Sequence, residues 1–159
     1  MAGQNFNMSN KIFLSFFLDS WKYAIDASCV QEIKNLQDFD IISMPAPPFI
    51  KGCIQFRGKI TPIIDLELIY HQKGKSYLSR DTIIFVQVNQ EYAGIITKGL
   101  PNLIELSEKD ISSENMDESM KNKCIQAIGT SYNEPYYILD LNKLLLEQDI
   151  YLYHHEQTE

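Results

Sequence analysis

The chain has 159 residues, 45% apolar and 22% charged, with a formal net charge of −7. That length and composition fit one globular domain with a real core and exclude a disordered chain. An acidic balance without any Lys/Arg cluster argues against nucleic acid as a partner.

No apolar run approaches the roughly 20 residues of a membrane span, and the start lacks the basic and apolar regions of a secretory signal. A cytoplasmic location without membrane insertion is therefore expected. Residues 1–10 read as a flexible start. Lys11 to Asp19, "KIFLSFFLD", is the first strand, and Lys22 to Asp26 returns after a turn at Ser20-Trp21. In "SCVQEIKNL" the period changes: Cys29, Ile33 and Leu36 fall three and four apart, with Ser28 as N-cap and Gln31 as its capping-box partner. A short helix is expected there.

"MPAPPFIKG" (Met44 to Gly52) holds three prolines in four positions and reads as a rigid extended connector. The next hairpin, "CIQFRGKITPIIDL" (Cys53 to Leu66), turns at Arg57-Gly58, and Pro62 marks its second strand as an edge or a bulge. Asp81 to Gly99 is a third hairpin, joined by "NQE". Ser112 to Lys123 reads as a mobile, solvated loop. The fourth hairpin, "CIQAIGTSYNEPYYILDL" (Cys124 to Leu141), opens and closes like the second, with a glycine in its turn region. A helical tail runs from Asn142 to about Asp149, and residues 148–159 form a C-terminal tail whose end frays. Asp65 and Asp140 both precede leucine-rich segments and read as helix N-caps.

Seven to ten short strands with two or three short helices argue for a mainly β fold. The repeated hairpin suggests two similar halves, hence two small barrels sharing a core, since two copies are too few for a solenoid.

Few residues signal chemistry. The three histidines, His71, His154 and His155, make no metal constellation, and the three cysteines contain no C-x-x-C. No cofactor is called for. Cys53 and Cys124 sit in apolar runs, as small buried hydrophobes do; a cysteine hydrolase would need a thiolate of lowered pKa. An oligonucleotide or small-molecule binder built on a small β-barrel would want cations and rings on one face, whereas the aromatics here lie mostly in apolar runs without cationic neighbours. Arg57 is the most informative residue. By type alone it is either a charge facing water or a recognition arginine beside an apolar groove.

Five segments in order, "VQEI" (Val30 to Ile33), "PAPPFIKG", "QFRGKITPIIDL", "TIIFVQVNQEYAGIIT" and "YYILDLNKLL", resemble the CheW-type adaptor family of bacterial chemosensory arrays. The resemblance covers about residues 11–147, as a single domain. It implies a fold of two intertwined five-stranded β-barrel subdomains with short helices, and no catalysis. It implies binding to the regulatory domain of a CheA-type histidine kinase, barrel against barrel, and to the cytoplasmic tip of a methyl-accepting chemoreceptor in a groove between the barrels. Other CheW-like domains are further candidate partners, and the array lies at the inner membrane. By resemblance, Arg57, Val30 and Glu32 are the receptor-binding residues. Two departures stand out: Gln55-Phe56 where the family has Asn-Leu, and Lys98 where an aspartate often ends the third hairpin. Outputs other than chemotaxis, such as pilus motility, are equally allowed.

Overall fold

Four β-hairpins carry the fold in the computed structural model, which describes residues 10–71, 77, 80–148 and 150. In chain order, β1 (Asn10–Leu18) and β2 (Trp21–Asp26) form the first hairpin, and β3 (Val30–Asn35) follows. β4 (Ile50–Phe56) and β5 (Lys59–Ile64) form the second, closed by α1 (Leu66–His71). β6 (Thr82–Val88) and β7 (Glu91–Thr97) form the third, followed by β8 (Asn102–Ser107), the two-residue β9 (Ile111–Ser112) and α2 (Glu118–Asn122). β10 (Ile125–Ser131) and β11 (Glu134–Leu139) form the fourth, closed by α3 (Leu141–Glu147). The expectations for residues 1–9 and for the end of the tail, with His154 and His155, lie outside the described residues.

The strands assemble into two sheets, of order β8-β1-β2-β11-β10-β9 and β3-β6-β7-β5-β4. The chain therefore repeats itself: hairpin, single strand, hairpin, helix, twice over. Each sheet takes one hairpin from one half of the chain and its remaining strands from the other, four in the first sheet and three in the second. β3 leaves the first hairpin to pair with β6, and β8 leaves the third to pair with β1. In each sheet two hairpins meet through a parallel pair, β2 with β11 and β7 with β5. The halves are intertwined, and the mainly β, two-subdomain architecture stands; the first sheet gains a sixth, very short strand.

Alternation along the strands explains three cores. Leu14, Phe16 and Leu18 of β1 face Ile84 and Val86 of β6 in the central cluster between the sheets, which α1 and α3 complete with Leu66, Tyr70 and Leu144. The opposite faces fill the interior of each sheet: Phe56, Ile83 and Phe85 in one, Phe13, Leu106 and Ile138 in the other. β6 reads as a continuous apolar run because both of its faces are buried.

Four expectations are corrected. Residues 30–35 are a strand, not a helix, after a short 3-10 turn at Ala27–Cys29. Of the three residues with helical spacing only Ile33 is on the strand: Cys29 ends one 3-10 turn and packs against the central cluster, and Leu36 begins another and packs in the second sheet's interior. A β-bulge shifts the register with β6 between Val30 and Glu32, so Val30 and Ile33, three apart, lie opposite Val86 and Ile84. The polar stretch Ser112 to Lys123 contains α2, whose N-cap Asp117 accepts the Met120 N–H at 2.8 Å. The fourth hairpin turns at Tyr132-Asn133, and Gly129 lies within β10, where a Cβ would run into Leu106. Finally, Pro62 is on an internal strand. Cys53 exchanges both backbone hydrogen bonds with Ile42, so the Cys53–Pro62 pair makes none, and the proline nitrogen points away from β4. The ladder with β7 begins only at Ile63.

Candidate functional site

Arg57 and Gly58 both have positive φ, 51° and 79°, the signature of a tight two-residue hairpin turn. Such a turn throws the Arg57 side chain off the end of β4, and it does not point idly into water. Its Nε and Nη2 both donate to Glu32 Oε2, at 3.1 and 2.8 Å, and Nη1 donates to Gln31 Oε1 at 2.8 Å. Successive side chains of a regular strand point to opposite faces. The bulge in β3 removes that rule locally, which lets Gln31 and Glu32 reach the same guanidinium. β3 and the β4–β5 hairpin end the second sheet on opposite sides. The clasp therefore joins its two ends and helps it curl shut.

Hydrogen bonds from Arg57 hold the Glu32 carboxyl below its usual range, with Lys34 adding to the effect. A lowered carboxyl pKa makes the clasp whole above about pH 4.5, the carboxyl's ordinary value, and weakens it as pH falls further. The guanidinium carbon stands 5.0 Å from the Phe56 ring centroid. Phe56, the bulkier residue at the family's leucine position, is accommodated by stacking parallel to Phe85 at 4.0 Å, with Tyr92 edge-on at 5.3 Å.

The third expected site residue lies elsewhere. Val30 faces away from the clasp and packs against the central cluster. Exposed apolar side chains share its core-facing phase on β3, β8 and β1. Ile33 is 42% exposed on β3, Leu103 is 69% exposed on β8 opposite Leu14, and Ile12 is 52% exposed on β1. Ile33, Leu103 and Ile12 were not read from the sequence as site residues. Their signal was present, as β-branched or leucine residues on the core-facing phase of a strand, but it is unreadable without the register.

At the matching place in the first sheet there is no clasp. The tip residue Tyr132 is 99% exposed, and a cleft of about 740 Å³ lined by Tyr132, Asn10, Glu105 and Asp110 separates it from the end of β8. Lys98 is engaged locally: its Nζ lies 3.0 Å from Asp81 Oδ2 and 4.9 Å from the Tyr77 ring.

Other chemistry finds little support. Burial, and then the Asp26 carboxylate, push the Cys29 thiol up to about 11; burial and the Glu147 carboxylate push Cys124 up to about 12. Both move away from a nucleophilic thiolate. His71 is 3.2 Å from the Tyr23 hydroxyl and stacks on Trp21, at the edge of a cavity of about 220 Å³. Among the described residues no group of His, Cys, Asp and Glu could hold a metal ion, and no helix is long and apolar enough to cross a membrane. The aromatics do have cationic neighbours in space, contrary to expectation: Lys11, Lys22, Arg57, Lys59 and Lys98 each lie over a ring. Four of these five are neutralised by Asp26, Glu134, Glu32 and Asp81, which leaves no cationic track for a phosphate backbone among the described residues.

A family model described as "CheW-like domain" matches residues 13–149. Chemotaxis protein CheW of Klebsiella aerogenes is 30% identical over 141 residues, covering 88% of this chain and 84% of the relative. Chemotaxis protein CheW of Treponema pallidum is 30% identical over 145 residues, covering 86% and 83%. Among solved structures, the crystal structure of scaffolding protein TtCheW from Thermoanaerobacter tengcongensis superposes with a TM-score of 0.70 at 28% identity, over 85% of this chain and 92% of that one.

Proposed function

The chain belongs to the CheW-like family, a family of non-catalytic chemotaxis adaptors, and from that premise we propose that it couples chemoreceptors to a CheA-type histidine kinase. The observation that carries the reading is the pairing of an apolar margin with a fixed cation. Val30 packs against the central core, Ile33, Leu103 and Ile12 are exposed on the core-facing phase of their strands, and Arg57 is held at the tip of the hairpin that the clasp joins to β3. A receptor's helical hairpin offers an apolar stripe with polar flanks; an aliphatic margin takes the stripe and an arginine takes a flanking acceptor. Each contact need only be weak, because an array multiplies them.

The kinase's regulatory domain, alike in fold by family resemblance, docks barrel against barrel at a separate face. Receptor and kinase then bind together rather than in competition, at the cytoplasmic side of the membrane that holds the array. Val30, Glu32 and Arg57 act on the receptor side, Glu32 by holding Arg57.

Titration calorimetry against the cytoplasmic tip fragment of a chemoreceptor from the same genome tests the receptor side. The expected result is saturable micromolar binding, weakened about tenfold or more by Arg57→Glu while the circular dichroism spectrum stays unchanged. Binding that is indifferent to Arg57→Glu removes Arg57 from the receptor face; an unfolded Arg57→Glu chain makes the arginine structural.

A further inference from the structure

Arg57 is held by more than its carboxylate. Glu32 is long, about one-third exposed and shared with Lys34 at 3.4 Å, so by itself it is a mobile anchor. The ring of Phe56 is the opposite. It is nearly buried, lies parallel to the fully buried Phe85 with an interplanar angle of 1°, and is braced by Tyr92 at 90°. We propose that Phe56, backed by Phe85 and edged by Tyr92, is the positioning residue for Arg57, fixing the plane of the guanidinium at the hairpin tip and thereby tuning partner recognition there. The inference rests on the reading of this face as partner-binding.

The physical basis is the ring quadrupole. A guanidinium within about 6 Å of a ring centroid is attracted to its face, and stacking orients the planar cation in a way that a carboxylate alone does not. Here the separation is 5.0 Å. An aliphatic side chain of similar bulk supplies neither plane nor quadrupole. Phe85 is fully buried whereas both partners of the salt bridge are partly exposed, so the platform has less room to move than the salt bridge. A fixed side chain also loses less conformational freedom on binding, so the platform acts by preorganisation.

The test is a double-mutant cycle on calorimetric binding to the same receptor tip fragment, using Phe56→Leu, Arg57→Ala and both together. The expected result is that Phe56→Leu weakens binding about fivefold when Arg57 is present and not at all when it is absent. Equal losses in both backgrounds mean that the ring acts through packing alone and overturn the proposal. An effect of Arg57→Ala with none of Phe56→Leu also overturns it, leaving the partner face intact; no effect of Arg57→Ala sinks the reading of the face itself.

A partner-free measurement stands beside the cycle. The Arg57 Nε–H resonance of the free chain is expected to exchange with water severalfold faster in Phe56→Leu, and an unchanged rate contradicts the proposal whatever the chain binds. Should Phe56→Leu fail to fold, Phe56→Met, of similar bulk and without a ring, carries the same expectations in both measurements.

Discussion

A single carbon atom separates Gly52 from alanine, and the structure has no room for it. Its φ is +143°, and a Cβ there would run into the carbonyl oxygen of Ile42, the residue that pairs with Cys53 along the outer side of β4. Gly58 also has positive φ, yet its Cβ would meet open space. Gly52→Ala is therefore predicted to cost about 2–4 kcal/mol, from strain plus overlap with backbone, and Gly58→Ala about 1 kcal/mol from backbone conformation alone. Urea unfolding midpoints measure both; equal costs would show that the Ile42 strap yields. Arg57 shows what could be read beforehand at this scale. "RG" announced a turn, and residue type allowed both a water-facing charge and a recognition group. Neither anticipates the clasp, because Gln31 and Glu32 converge on one guanidinium only through a bulge in a strand that the sequence presented as a helix. Lys98, which the family pattern singles out as a departure, is likewise spent on Asp81 at the base of its own hairpin.

Among the elements, the two helices that close the repeated hairpins look alike in sequence and differ in what holds them. Asp140 caps α3 through the Lys143 N–H at 3.1 Å, at a partly exposed position. Asp65 caps α1 through the Leu68 N–H at 3.2 Å, but it is also fully buried, accepts the Tyr77 hydroxyl at 2.8 Å and has Lys51 Nζ at 3.7 Å. Asp140→Ala is predicted to cost about 1 kcal/mol, the worth of a cap. Asp65→Ala should cost about 3 kcal/mol or more, because it strips a buried network. Thermal or urea unfolding of the two variants decides, and similar losses would contradict the distinction. Four hairpins and both capped helices were legible, since alternation, turn residues and caps are local signals. The strand at residues 30–35 and α2 were not. The helical period at Cys29, Ile33 and Leu36 spans a short strand and the turns on either side of it, and α2 is five residues of polar sequence whose only strong cue is Asp117.

For the whole molecule the decisive feature is the exchange of strands between halves. The internal repeat was visible as two hairpins beginning Cys-Ile-Gln, and it correctly implied two similar units. That β3 and β8 each cross into the other unit's sheet was not visible, because pairing between distant segments leaves no local trace. With each sheet built from both halves and a common core between them, neither unit can unfold alone. Fluorescence of the one tryptophan, Trp21 at the start of β2 in the first sheet, is thus expected to follow the same denaturation curve as hydrogen exchange at β6 amides in the second, in one cooperative transition. Two separated transitions would mean that the units are independent.

Such a rigid body suits an adaptor, whose purpose is to fix two partners relative to each other. The claim that it holds receptor and kinase together is tested most directly by adding the receptor tip fragment to a preformed complex of this chain with the regulatory domain of the CheA-type kinase from the same genome, and following all three by size-exclusion chromatography with light scattering. The account predicts a single ternary species whose mass exceeds that of either pair. Release of the kinase domain as the receptor fragment binds would contradict it, because the two partners would then share one face and the chain could not couple them.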